Sequence, residues 1–139
     1  MRRTGKLAVK TYDFLALRRA AHRVSQFYDA QLAPSGLCLA EFATLVRLKR
    51  HKRIHLAEFF ENTSWDRGTV NRNLRRLAEA GFIRIARPGV KERATVAMTR
   101  QGLNALRRAV PFWQAAQTRF EDLNGGMLKN TLNGLVLES

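Results

Sequence analysis

Residues 64–83, SWDRGTVNRNLRRLAEAGFI, decide how this chain is read. Val70, Leu74 and Leu77 fall at i, i+4 and i+7, which is one apolar stripe on a helix. Ser64 or Asp66 supplies a short oxygen to cap its start, and Gly81 is suited to end it. Opposite the stripe lie Gly68, Arg72, Arg75 and Glu79, with Asn71 and Arg76 flanking and Arg67 in the first turn. Four arginines therefore fall within ten positions of one short rod. Like charges three and four apart cost a few tenths of a kcal/mol per pair, so an external polyanion is expected to offset the crowding.

The segments on either side of this helix narrow the polyanion. After Gly81, FIRIAR and RATVAM flank a Pro-Gly turn at 88 and 89, which predicts a β-hairpin. A two-stranded hairpin is marginal alone and must lean on the neighbouring helices. Upstream, a helix over residues 39–50 carries Phe42, Leu45 and Leu48 inward. HKRIH reads as a short break, and a compact third helix is expected over 56–62. Helix, short loop, capped helix, glycine and hairpin form a winged helix-turn-helix, whose second helix suits the DNA major groove.

Further out, Leu15, Leu17, Ala21, Val24, Phe27 and Tyr28 predict a first helix over 10–31, stopped by the APSG at 33–36. A long helix is expected over 99–123, where Pro111 should kink or locally end it. A last helix is expected over 127–137. The expected architecture is mainly α with a small β-hairpin wing, in one domain spanning 1–139.

Charge is segregated along this order. The 139 residues carry 25 Lys and Arg against 11 Asp and Glu, a formal net charge of +14. Trp65 to Arg100 holds nine basic and three acidic residues, and RLKRHKR at 47–53 adds five basic ones. Trp113 to Ser139 holds two basic and three acidic residues. One region is built to meet an anion and the other is not. The hydrophobic share of 45% supports a real core. No apolar run approaches the roughly 20 residues of a membrane span, and no signal peptide is expected from the start of the chain. The single Cys38 forms no internal disulfide, so a reducing cytoplasm is the expected setting.

Residue chemistry assigns expected roles on DNA. Asn71 and Arg72 suit base edges, because Asn pairs with adenine and Arg with guanine through two bonds. Arg67, Arg75 and Arg76 suit phosphates, which set register without reading sequence. Gly68 leaves room for close backbone approach, with Thr69 beside it. Lys91 and Arg93, at the hairpin tip, are candidates for an adjacent minor groove.

Together SGLCLAEFATL, WDRGTVNRNLRRLAEAGFI, MTRQG and AVPFWQAAQ resemble the MarR family of bacterial transcriptional regulators, over Leu15 to Leu123. The resemblance implies a winged helix-turn-helix lobe at 37–100 and dimerisation helices at 8–33 and 101–139, interlocked in a homodimer. It further implies a palindromic double-stranded DNA operator, usually repression, and often release by a small aromatic or phenolic effector. His22, Phe27, Tyr28 and Trp113, with Phe112 nearby, are candidates for the effector pocket, plain packing being the other reading of each. The chain departs from the family in the wing, where GVKER lacks the usual Asp and has a shorter tip.

Competing classes have weaker support. A non-specific nucleic-acid coat or RNA reader would display stacking aromatics on its sheet, and the hairpin offers only Phe82. A redox-responsive regulator would use Cys38, at the start of the second helix. His22, His51 and His55 lack acidic or cysteine companions at metal-ligand spacing, so no metal and no cofactor is expected. There is no Gly-rich phosphate loop and no nucleophile with a matching base, so an enzyme is not expected. A pure protein-interaction module would leave the one-signed helix face unexplained.

Overall fold

The computed structural model describes residues 12–61, 63, 65–89 and 93–135. Helix α1 covers Tyr12–Leu32 and runs into a short 3-10 turn at Ala33–Ser35. Helix α2 (Leu39–His51) leads to strand β1 (Arg53–His55) and a 3-10 segment at Leu56–Phe60. Helix α3 (Arg67–Glu79) precedes strands β2 (Ile83–Ala86) and β3 (Thr95–Met98). Helices α4 (Arg100–Asn124) and α5 (Met127–Asn133) complete the order.

Two expectations are corrected by the sheet. The expected hairpin forms, β2 pairing with β3, and β1 adds a third strand to give an antiparallel sheet ordered β1-β3-β2. RIH at 53–55, read as part of a break, pairs Ile54 with Val96 on the central strand. A three-residue strand is too short for its alternation to show in sequence; the partner strand supplies the missing hydrogen bonds. The expected third helix is likewise a five-residue 3-10 segment, closed by Glu58 Oε2 accepting the His55 N–H at 3.0 Å.

Alternation within the sheet divides core from solvent. Ile54, Ile83 and Val96 point inward and are buried, Val96 completely, while Arg53, Arg84 and Ala86 are exposed. The inner face packs on Leu45, Leu48, Leu74, Leu77, Ala105 and Leu106 in one continuous core. Burial of a Leu or Ile side chain contributes about 1.5–3 kcal/mol, which makes the hairpin stable where it would not be alone.

Helix ends follow their side chains. Asp66 caps α3 by accepting the Thr69 N–H at 2.7 Å, while Ser64 lies outside the described residues. Gly81, at φ 80°, closes α3: its own N–H reaches the Ala78 carbonyl and the Phe82 N–H reaches that of Leu77. Such a left-handed turn disfavours residues bearing Cβ. Pro111 does not end α4, which runs unbroken to Asn124. Proline removes one bond to the carbonyl four residues back. Pro111 and Arg107 both lie on the exposed face, where solvent is available to that carbonyl. The last helix stops at Asn133, ahead of the expected 137, with Gly134 at its end.

Large apolar side chains remain outside the core at the opposite end. Phe14 and Leu123 are 60% and 61% exposed, and Leu15, Leu17, Leu132 and Leu135 about half exposed. They lie on α1, on α4, and on and just beyond α5.

Candidate nucleic-acid interface

The position of α3 is set by its inner face and by one polar clamp. Val70, Leu74 and Leu77 are buried against the core. On the flank, Asn73 Nδ2 donates to Thr44 Oγ1 at 2.8 Å and to the Ala40 carbonyl at 3.2 Å, both on α2. Thr44 Oγ1 in turn donates to that same carbonyl at 2.8 Å. These bonds hold the two helices of the helix-turn-helix at one angle. Sequence reasoning did not single out Asn73; its place between stripe and charged face was the available signal.

The exposed side divides the expected DNA residues into groups. Arg67, Asn71 and Arg75 line one groove between α3 and the sheet, together with Arg87 at the end of β2 and apolar Leu56, Phe60 and Ile85. Arg67 lies over the Phe60 ring, its Cζ 4.4 Å from the centroid, so a cation–π contact steadies the guanidinium at the groove's mouth. Arg87 went unnoticed in sequence because only pairing of β2 with β3 turns that end of the strand toward α3.

The other arginines have different surroundings. Arg72 Nη2 donates to Thr69 Oγ1 at 3.1 Å, one turn back along the exposed face. Thr69 thus supports both the cap and Arg72, and its N–H and hydroxyl hold the Asp66 carboxyl below the usual aspartate range, with Arg72 adding to the effect. Arg76 Nε stands 3.6 Å from Glu41 Oε2 on α2. Glu41 is 5% exposed, and its other oxygen accepts the Cys38 N–H at 2.9 Å. Arg76 therefore braces α3 against α2 while keeping most of its side chain in solvent. At Gly68 an added Cβ would meet Arg72 Nη1 at 3.4 Å and Asp66 Oδ1 at 3.6 Å, so the helix surface is flat there. Arg93 lies on the outer face of the sheet. Lys91 lies outside the described residues.

The aromatic candidates do not share one cavity. Tyr28 is buried, 4.8 Å from the Trp113 ring centroid and 5.4 Å from Phe27, and Trp113 stacks on Phe42 at 4.9 Å. Phe27 and Trp113 border different grooves, Phe27 beside Phe120 and Leu128, Trp113 beside Phe42, Val46 and Val110. His22 is exposed. Phe27 and Tyr28 both pack on Phe120, with ring centroids 6.0 and 5.8 Å away, so these rings fill the space beside one another.

Cys38 is half-buried at the start of α2. Burial pushes its thiol above the ordinary range; the Glu41 backbone N–H lowers it in part, while the Glu41 and Asp29 carboxylates raise it. A helix N-terminus alone would act the other way. No cluster of three His, Cys, Asp or Glu suited to a metal occurs among the described residues. Nor is any helix among them long and apolar enough to cross a membrane.

Known proteins carry the same arrangement. No protein-family model matches the chain. An HTH-type transcriptional regulator of Bacillus cereus is 29% identical over 109 residues, 78% of this chain and 73% of its own length. The crystal structure of the Mycobacterium tuberculosis transcriptional regulator MosR in complex with DNA superposes with a TM-score of 0.71 at 27% identity, over 86% of this chain and 89% of that one. The Escherichia coli MarR variant bound to operator DNA shares the fold at 20% identity, with a TM-score of 0.70 over 91% and 94% of the two chains. The chain therefore shares the winged helix-turn-helix fold of MarR-type transcriptional regulators and is similar in sequence to HTH-type transcriptional regulators.

Proposed function

We propose that this chain is a homodimeric, sequence-specific repressor of a palindromic operator. The observation that carries the reading is the single groove joining Arg67, Asn71 and Arg75 of α3 to Arg87 of the wing. Within it Asn71 reads a base edge while Arg67 and Arg75 hold phosphates; Arg72, on the neighbouring exposed face, reads a guanine. Arg76 contacts phosphate from the far flank, and Lys91 and Arg93 serve the adjacent minor groove. The complex of MosR with DNA supports DNA as the partner.

The homodimer is argued from apolar surface. Residues 37–100 form the DNA-binding lobe, and helices within 8–33 and 101–139 form the interface. Phe14, Leu15, Leu17, Leu123 and Leu132 are exposed on these outer helices. Several large apolar side chains left in solvent on the outer helices favour an interaction surface there. A twofold partner places a second α3 one helical turn along the duplex, about 34–36 Å away.

A small aromatic or phenolic acid is the effector this arrangement suits. Beside Trp113, the α2–α4 groove is walled by Leu39, Phe42, Val46 and Val110, with Arg47, Arg50 and His51 at its rim. A planar ring fits the apolar walls and an acidic group meets the cations.

Selection of a site from a randomised duplex pool tests the reading. The selected sequence is expected to be palindromic and bound far more tightly than random duplex. Arg72→Ala is expected to remove that discrimination, and Arg76→Ala to weaken all duplexes alike. A purified chain that sediments as a monomer, or that binds selected and random duplex equally, refutes the proposal.

A further inference from the structure

The outer face of the sheet carries a second cationic surface that the α3 groove does not use. Pairing places Arg53 of β1 and Arg84 of β2 on either side of Ala97 in the central strand. The next row is His55, Thr95 and Ala86. Arg93 and Pro88 complete a shallow depression over these rows, and no carboxylate lines it among the described residues. Three arginines from three segments of chain thus border a floor of small side chains.

We infer that this face binds the phosphate backbone of duplex DNA flanking the operator half-site, extending the footprint beyond the wing. The inference rests on the DNA-binding reading. Charge complementarity is one support. Scale is another: Arg53 and Arg84 stand two strand spacings apart, about 10 Å, a span over which the two side chains can each meet a phosphate of one strand. Continuity is the third. Arg87 lines the α3 groove and the next residue, Pro88, lines this face, so the cationic surface turns the edge of the wing without a break. Ala86, Thr95 and Ala97 keep the floor low enough for a backbone to approach.

The test compares two duplexes carrying the selected operator. One ends at its half-sites and the other extends by about one helical turn, roughly 10 bp, on each side. Affinity is measured against salt for the wild-type chain, for Arg53→Gln with Arg84→Gln, and for the corresponding double lysine variant. Both positions are exposed, and circular dichroism checks that the fold is kept. The wild type is expected to bind the extended duplex more tightly, with the glutamine variant losing that advantage while matching wild type on the short duplex. Its salt slope on the extended duplex falls by about 1.8 for two lost phosphate contacts, so between 50 and 200 mM salt its affinity drops about tenfold less than that of wild type. The lysine variant restores most of the gain. Equal losses on both duplexes, or no loss on either, overturn the inference and leave the operator reading standing. Inorganic phosphate displacing the extended duplex better than chloride at equal ionic strength, only when both arginines are present, assigns the face to a small anion and also overturns it. Failure of wild type on both duplexes overturns the operator reading as well.

Discussion

Replacing Gly102 by alanine sets two physical effects against each other. In the first turn of α4, alanine is the better helix former by about 0.8–1.0 kcal/mol, which on propensity alone raises stability. The tertiary structure opposes this. A Cβ built at Gly102 falls well inside van der Waals contact with the Phe82 carbonyl oxygen, and it meets Met98 Cγ at 2.8 Å. The methionine end can swing aside; the carbonyl cannot. It accepts the Thr99 N–H at 3.0 Å, and Thr99 Oγ1 donates to the Gly81 carbonyl at 2.5 Å while capping Gly102 N–H at 3.0 Å. The start of α4 is thus bonded to the turn between α3 and β2, and room for a methyl requires parting the two. Overpacking costs about 1–3 kcal/mol, and contact with fixed backbone belongs at the upper end. Subtracting the propensity gain leaves about 2 kcal/mol of net destabilisation. For a chain of this size that lowers the melting temperature by roughly 6–10 °C. Differential scanning calorimetry at fixed protein concentration measures it, since the midpoint of any self-associating chain depends on concentration. Gly68→Ala is the control, because a Cβ there meets only ordinary contacts at 3.4 and 3.6 Å and is expected to keep or raise stability. A Gly102→Ala chain that melts at or above wild type refutes the reasoning.

Single contacts set the other expected outcomes. Asn73→Ala removes the bonds to Thr44 and Ala40 and is expected to cost about 1–2 kcal/mol in urea unfolding, with weaker operator binding because α3 loses its fixed angle. The Asp66 cap has a depressed folded carboxyl, so its contribution is complete above the ordinary aspartate range and is lost as pH falls through the folded value. Asp66→Asn, which keeps the acceptor, should flatten that part of the acid unfolding curve. Because burial raises the Cys38 thiol, alkylation of the folded chain at neutral pH should be slower than that of the unfolded chain, its rise with pH displaced upward. Arg67→Ala and Arg75→Ala should each reduce the salt slope of operator binding by about 0.9.

Local order alone made several features legible. The stripe of Val70, Leu74 and Leu77, the Asp66 cap and Gly81 marked α3 to within a residue or two, because period and capping are properties of neighbouring positions. The excess of arginine on one face marked a strongly cationic rod for the same reason. Tertiary structure decided what depends on distant partners. Strand β1 exists because β3 lies beside it, and Pro111 is tolerated because its face of α4 is open to water. Arg67, Asn71 and Arg75 share a groove with Arg87 through the sheet's register, while Arg76 turns to Glu41 on another helix. A side chain's helical face is written in its spacing; which neighbour it meets is set by how separate elements pack, and spacing carries no record of that.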